Sequence, residues 1–182
     1  MLKSRDCAPV DELEPVPYAD RAIPEAARLA QRGLAEKRAS ESVEGNESTS
    51  HILMGEAAKD LITALAADPY NVRATYGLAG LYARVGAKQC ALGLLTRLVR
   101  IRTMRSQTAE VDTHLDRLLG RTTALDPDFH ELRADAGFGP IVAAVTNNTP
   151  LAAVPAATPG TITVVLPYVG ALPRIPDIDD AP

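Results

Sequence analysis

The placement of proline is the feature of this sequence that most constrains its fold. Of the 14 prolines in 182 residues, four lie before residue 25, eight lie from residue 140 onward, and only Pro69 and Pro127 fall between. Helix interiors exclude proline, because it lacks an amide hydrogen and clashes with the preceding turn. We therefore predict an extended acidic arm over residues 1–20, a helical domain over 21–145, and an extended tail rich in Pro, Ala and Thr over 146–182.

Apolar residues recur at helical spacing throughout the middle of the chain. The fold class that this pattern predicts is all-α, built from antiparallel helical hairpins. Asn71 is a predicted N-cap, Gly86 a predicted helix stop and Ser106 a second predicted cap. A polar run from Ser40 to Ser50 predicts an exposed loop. The predicted helices are Ile23–Arg38, Ile52–Ala67, a helix from Asn71 to Val85, Ala87–Met104, Gln107–Leu125, a short helix from Pro127 to Ala134 and a last turn from Pro140 to Val145.

An internal repeat of 34 residues lies within this helical region. The earlier positions are Ala57, Leu61 and Ala64, and the positions 34 residues later are Ala91, Leu95 and Leu98. A fixed period of this length is typical of helical repeat proteins, in which each hairpin buries its apolar face against the next.

Residues 68–86, together with the helix that follows, resemble the tetratricopeptide (TPR) repeat. At the signature positions of the family this sequence has Thr75 for Trp, Leu78 and Ala79 for Leu-Gly, Tyr82 for Tyr, Ala91 for Ala and Leu95 for Phe. A preceding unit would take Ile23–Arg38 as its first helix, with the polar loop as an insertion. The third unit is degenerate, because Thr103 replaces the closing Pro. Residues 125–138 resemble the segment that ends many bacterial TPR arrays, with Phe129, Leu132 and Phe138 as packing residues.

The resemblance implies a TPR-like solenoid and a function in binding other proteins. It favours a non-enzymatic interaction adaptor, scaffold, or structural or accessory subunit of a larger complex. In the family, the first helix of each hairpin lines a concave groove. Here those protein-binding residues are Arg73, Tyr76, Gly77, Gly80 and Arg84. Tyr76 and Gly80 stand where chaperone-tail receptors carry Lys and Asn, which disfavours that subclass. Two glycines within one helix indicate close approach, either by another chain or inside the repeat itself.

Basic residues are concentrated in one zone of the chain. Between Pro69 and Ala109 there are seven and no Asp or Glu: Arg73, Arg84, Lys88, Arg97, Arg100, Arg102 and Arg105. The remainder of the chain carries a net charge of −11, because the total is −4. This segregation favours an acidic or phosphorylated peptide as an alternative ligand, with Arg97 and Arg100 among the contacts. Two other interpretations stay open, namely solvated helix flanks and pairing with the chain's own acidic arms. Nucleic acid is disfavoured by the negative total charge.

The tail is the second predicted docking element. From Ala136 to Pro173 there is no charged residue, and residues 161–166 alternate like a β-strand. We predict that the tail adds a strand to a neighbour or lies along a groove in an assembly. The residues predicted to dock are Ile162, Val164, Leu166 and Tyr168.

The two cysteines, Cys7 and Cys90, lie in very different surroundings, so the sequence predicts no structural disulfide between them. Residues 1–7 lack the apolar core of a secretory signal, and no apolar stretch is long enough to span a bilayer. The expected location is the cytoplasm, with export or lipid anchoring as the alternative if the true start lies upstream of Met1.

Catalytic chemistry has weak support in the sequence. The best set for a small hydrolase is His114 with Asp112 and Asp116, and His130 with Glu131. His114 does not share a helical face with Asp112 and Asp116. No spacing indicates a metal site, and nothing indicates a cofactor. We therefore expect no enzymatic activity, no metal and no cofactor.

Overall fold

The computed structural model describes residue 7, residues 16–43 and residues 46–147. Throughout these ranges the secondary structure is helical, with no strand, which confirms the all-α prediction. The six α-helices, separated in places by 3-10 turns, are α1 Ile23–Ser42, α2 Glu47–Ala67, α3 Val72–Arg84, α4 Lys88–Ile101, α5 Thr108–Leu119 and α6 Phe138–Asn147. The 3-10 turns are Tyr18–Asp20, Pro127–Phe129 and Leu132–Ala134.

Helices α1 and α2 form the first hairpin, and the predicted loop over residues 40–50 is wrong. Helix α1 continues to Ser42, and α2 begins at Glu47. The physical reason is that the serines in this run are satisfied inside the hairpin. Ser40 donates its hydroxyl to the carbonyl of Lys37 at 2.6 Å, and Ser50 donates to the carbonyl of Ser40 at 3.1 Å. Asn46 caps α2 by accepting the amide of Thr49.

Helices α3 and α4 form the second hairpin, as predicted. The side chain of Asn71 caps α3 by accepting the Ala74 amide at 2.9 Å. Gly86 follows the helix with a φ of 75°, a left-handed conformation that glycine adopts without strain. Helix α3 packs against α1, α2 and α4 and is therefore central to the fold.

The six residues that match one another at the 34-residue spacing are all fully buried. Ala57, Leu61 and Ala64 in α2, and Ala91, Leu95 and Leu98 in α4, are each 0% exposed. The small alanines let neighbouring helices approach, while the leucines fill the space between them. The second helices of the two hairpins thus carry equivalent buried stripes.

Helix α5 is shorter than predicted at its carboxyl end. It stops at Leu119, because Gly120 takes a left-handed φ of 66°. The predicted cap at Ser106 is also wrong. Thr108 instead donates its hydroxyl to the carbonyls of Arg102 and Met104, at 3.0 and 3.1 Å. The predicted helix from Pro127 to Ala134 divides into two 3-10 turns.

The last part of the described chain closes the core. Phe129 is 0% exposed, Leu132 is 1% exposed and Phe138 is 6% exposed, so all three predicted packing residues are buried. Helix α6 is longer than the predicted last turn and packs against α4. None of the described helices combines the length and apolarity needed to cross a membrane.

Cys7 and Cys90 form a disulfide, so the expectation that they would not pair is wrong. They are 83 residues apart in sequence, but their Cα atoms are 5.2 Å apart in the fold. Local surroundings in the sequence carry no information about this contact, because only the tertiary fold brings the two cysteines together. The arm is therefore fastened to the helical domain at Cys90.

Candidate interaction face

The predicted groove residues lie on α3, at the centre of a face to which α1 and α5 also contribute. We call this the α1–α3–α5 face and define it by Leu34, Lys37, Tyr76, Gly77, Gly80, Arg84, His114 and Arg117. Tyr76, Gly77 and Gly80 are buried, whereas Arg73 and Arg84 are exposed. The centre of the predicted groove is therefore covered, and only its two ends reach the surface.

The chain itself makes the close approaches that the two glycines of α3 allow. A Cβ atom at Gly77 would lie 2.5 Å from Leu34 Cδ2, and one at Gly80 would lie 2.8 Å from Asp128 Oδ2. Of the two interpretations of these glycines, packing within the chain is the one found in the structure.

An acidic segment, Asp126–Phe129, lies across this face, and we call it the covering segment. Its first residue, Asp126, is 5% exposed and accepts the Tyr76 hydroxyl at 2.9 Å. Arg117 Nη2 lies 3.3 Å from the same carboxylate, and the Asp128 amide lies 3.2 Å from it. Burial, together with the charge of Asp126, raises the pKa of Tyr76, so the hydroxyl stays protonated and donates.

The second acidic residue of the covering segment belongs to a network of four charges. Lys37 Nζ lies 2.6 Å from Asp128 and 2.6 Å from Glu41, and Arg84 Nη1 lies 2.7 Å from Glu41 and 3.7 Å from Asp128. The side chains of Lys37 and Asp128 are only 11% and 10% exposed. Two cations from α1 and α3 therefore hold a nearly buried carboxylate from the covering segment.

The histidines proposed for hydrolysis do not form a shared site. The ring of His114 stacks on Tyr76 with centroids 4.5 Å apart, whereas His130 is exposed. Burial lowers the pKa of His114, and in the described part of the chain its Nδ1 atom has no hydrogen-bond partner. Asp112 is paired with Arg102 at 2.6 Å, and Asp116 lies 3.9 Å from Arg121. Glu131 is exposed.

Much of the predicted basic zone is engaged within the fold. Arg73 pairs with Glu110 at 3.0 Å, and Arg102 and Arg84 pair as described above. Arg97 is 7% exposed and donates to the carbonyl of Pro69 at 2.5 Å. Lys88, Arg100 and Arg105 have no carboxylate within salt-bridge distance among the described residues. Within the described ranges, the acids that pair with the zone come from the helices and the covering segment.

The residues that hold the covering segment are not apparent from the sequence. Lys37 and Arg117 carry no local signal of their role, since their contact depends on tertiary packing. Asp126-Pro127 was visible as a helix cap, and its carboxylate does accept the Asp128 amide. The tail residues Ile162, Val164, Leu166 and Tyr168 lie outside the described residues.

Comparison of the chain with protein-family models, with curated proteins and with solved structures finds no match. Within residues 7, 16–43 and 46–147, no group of three or more His, Cys, Asp or Glu side chains is arranged to hold a metal ion.

Proposed function

We propose that this chain is a non-enzymatic protein-interaction module, an adaptor or a structural subunit of a larger assembly, built from TPR-like hairpins. The observation that carries the proposal is the equivalence of the two hairpins. Positions 34 residues apart in α2 and α4 are all fully buried. This arrangement brings the first helices side by side, and scaffolds of this kind use such faces to bind extended segments of other proteins.

The chemistry of the α1–α3–α5 face supports an acidic protein segment as its ligand class. Two carboxylates of the covering segment, those of Asp126 and Asp128, are held there by a hydroxyl and by cations. Because the centre of the face is covered, we propose that a partner contacts its exposed ends, at Arg73 and Arg84. Arg100 and Arg105, which have no carboxylate within salt-bridge distance among the described residues, are further proposed contacts for an acidic or phosphorylated partner.

The tail remains the second proposed docking element, through Ile162, Val164, Leu166 and Tyr168. Its lack of charge from residue 136 to 173 supports burial against a neighbour in an assembly. A cytoplasmic location also remains a prediction from the sequence, and the disulfide argues against it, because stable disulfides are rare in that compartment.

The test is affinity purification from the native source, followed by mass spectrometry of the proteins that co-purify. The baits are the full chain, a chain ending at Asn147, and a full chain carrying Arg100→Glu and Arg105→Glu. A matched control carries Arg38→Glu and Lys59→Glu, which reverse two exposed charges on α1 and α2. All four baits should be checked for unchanged helical circular dichroism.

The proposal predicts stoichiometric partners for the full chain and for the control. Loss of partners with the tail would assign docking to residues 148–182, and loss with the arginine variant would assign it to the basic surface. A full chain that purifies as a monomer without partners would contradict the proposed function.

A further inference from the structure

The N-terminal residues are fastened to the helical domain by a covalent bond at one point. Cys90 lies in the first turns of α4 and is 3% exposed, and Cys7 is half-buried against it. These are the only two cysteines of the chain, so an intramolecular disulfide has a single possible pairing.

Non-covalent contacts fasten the same arm at a second point. The Val16 amide donates to the Tyr70 hydroxyl at 3.2 Å. Arg21 donates to both carboxylate oxygens of Asp68, at 2.7 and 3.1 Å. The Arg21 guanidinium also lies 4.7 Å from the ring centroid of Tyr70. The side chains of Arg21 and Asp68 are only 8% and 4% exposed.

These contacts hold Val16 and Arg21 at the corner between α2 and α3, and none of them involves the disulfide. Because Val16 follows Cys7 by only nine residues, this attachment limits the distance between the two thiols and so raises the local concentration of one around the other. The contacts of Val16 and Arg21 and the pairing of Cys7 with Cys90 therefore favour each other.

We infer that Cys7 and Cys90 are an oxidation site, and that the chain matures and acts in an oxidising compartment outside the cytoplasm. The oxidant is the disulfide of a thiol–disulfide carrier protein. A thiolate of the chain attacks a carrier sulfur and forms a mixed disulfide, and the second cysteine then displaces the carrier. Two thiols become one disulfide, and the carrier leaves as a dithiol with the two electrons and two protons.

The inference is independent of the proposed interaction function and contradicts the cytoplasmic expectation. A cytosolic thiol pool would hold both cysteines reduced. The first experiment is alkylation of the full chain in acid-quenched native cells with a maleimide of known mass, followed by intact mass measurement. We expect no maleimide on most of the chain before reduction and two after denaturing reduction. Two maleimides on most of the chain without reduction would overturn the inference.

A second experiment separates the bond from the packing of Cys90. The variants Cys7→Ala, Cys90→Ala and the double variant are compared with the oxidised full chain. Because Cys7→Ala leaves a thiol at the buried position, it tests the bond alone. We expect Cys7→Ala to lower Tm by roughly 5–15 °C, an effect that reductant reproduces in the unmodified chain.

In this comparison the double variant should add little to Cys90→Ala, since both lack the bond and the buried thiol, and it should exceed Cys7→Ala by the cost of losing the buried Cys90 side chain. If Cys7→Ala and reductant both leave Tm unchanged while Cys90→Ala lowers it, Cys90 acts by packing only, and the inferred role of the bond is wrong.

Discussion

The hydroxyl of Tyr76 donates a hydrogen bond of 2.9 Å to Asp126 Oδ2 and so joins α3 to the covering segment. Tyr76 is 6% exposed and Asp126 is 5% exposed, so water does not replace this partner when it is removed. Arg117 and the Asp128 amide donate further hydrogen bonds to the same carboxylate. The pair therefore contributes both to stability and to closure of the α1–α3–α5 face.

Replacement of Tyr76 tests this hydrogen bond. We expect Tyr76→Phe to lower the free energy of unfolding by about 1–2 kcal/mol, because a buried carboxylate loses one donor while the ring and its contacts remain. Urea denaturation followed by circular dichroism measures the change. Tyr18→Phe is the control, since Tyr18 is 76% exposed and should change stability little. Equal effects of the two variants would show that the bond contributes nothing.

The glycines of the helices differ in the space that is available for a Cβ atom. Alanine substitutions should therefore change the free energy of unfolding by different amounts. At Gly80 a Cβ would meet Asp128, which Lys37 and Arg84 hold in place, so Gly80→Ala should destabilise by about 1–3 kcal/mol. At Gly55 a Cβ would meet nothing within 4 Å, so Gly55→Ala should stabilise by about 0.5–1 kcal/mol.

Gly77→Ala should fall between these two, because the atom in its way is the flexible end of Leu34. Thermal unfolding of the three variants in one buffer gives the order. A Gly80→Ala variant as stable as Gly55→Ala would mean that the covering segment does not lie against α3 in solution.

The pair between Arg32 and Asp60 links α1 to α2. The Asp60 carboxylate is 5% exposed, and Arg32 donates to both of its oxygens. We expect Arg32→Ala to lower the free energy of unfolding, because it leaves the buried Asp60 carboxylate without its cation, while solvent screens the half-exposed Arg32 and keeps the loss below that of a fully buried pair. Arg28→Ala is the matched control one turn earlier, and because both side chains of its pair with Glu25 are exposed, it should lower the free energy of unfolding less than Arg32→Ala does.

The same pair should also give a pH dependence in the acid range. The hydrogen bond from Arg32 lowers the pKa of Asp60 in the folded chain below 3.8, so the pair stabilises the fold at neutral pH. Its contribution is lost as pH falls through the folded pKa, when the carboxylate is protonated. Chemical denaturation at pH 7 and pH 3 should therefore show a smaller effect of Arg32→Ala at the lower pH. An effect that does not change with pH would exclude a charged pair.

His114 should make stability fall as the solution is acidified below neutrality. Burial lowers its pKa in the folded chain, with Arg117 and Arg73 acting in the same sense and Glu110 and Asp126 opposing them. The unfolded chain therefore binds its proton first, near pH 6.5, and unfolding is favoured as pH decreases below that value. The slope from this one group is at most about 1.4 kcal/mol per pH unit.

His114→Phe is the variant that isolates this effect, because the ring stays stacked on Tyr76 but does not titrate. The difference in unfolding free energy between the unmodified chain and the variant should move in favour of the variant from pH 7.5 to pH 5. Urea denaturation at several pH values measures it, and parallel curves would show that His114 titrates alike in both states.

The sequence predicts those elements of the fold whose signals are local. Asn71, Gly86 and the apolar stripe of α4 lie within a few residues of the structure that they specify, so α3 and α4 were predicted well. The run from Ser40 to Ser50 was mispredicted, because serine hydroxyls satisfy helix carbonyls when a second helix packs alongside. The average polarity of the run does not reveal whether a second helix packs beside it.

The candidate site depends more strongly on distant contacts. The basic residues were visible, but their pairing with Glu41, Glu110 and Asp128 follows from which helices meet. The disulfide was missed for the same reason, since 83 residues separate its ends. Burial of Tyr76 and Gly80 depends on the path of the covering segment, which begins only after α5 has ended at Gly120.

The covering segment and the face beneath it belong to one polypeptide. A separate ligand must therefore reach a minimum affinity before it can displace the segment. A tethered ligand is present at an effective concentration on the order of millimolar or higher, whatever the concentration of the protein. A separate acidic peptide that uses the same contacts must therefore pay an entropic cost that Asp126–Phe129 does not. Weak and abundant acidic segments are rejected, and occupancy of the centre of this face is limited to a partner whose contacts extend beyond it.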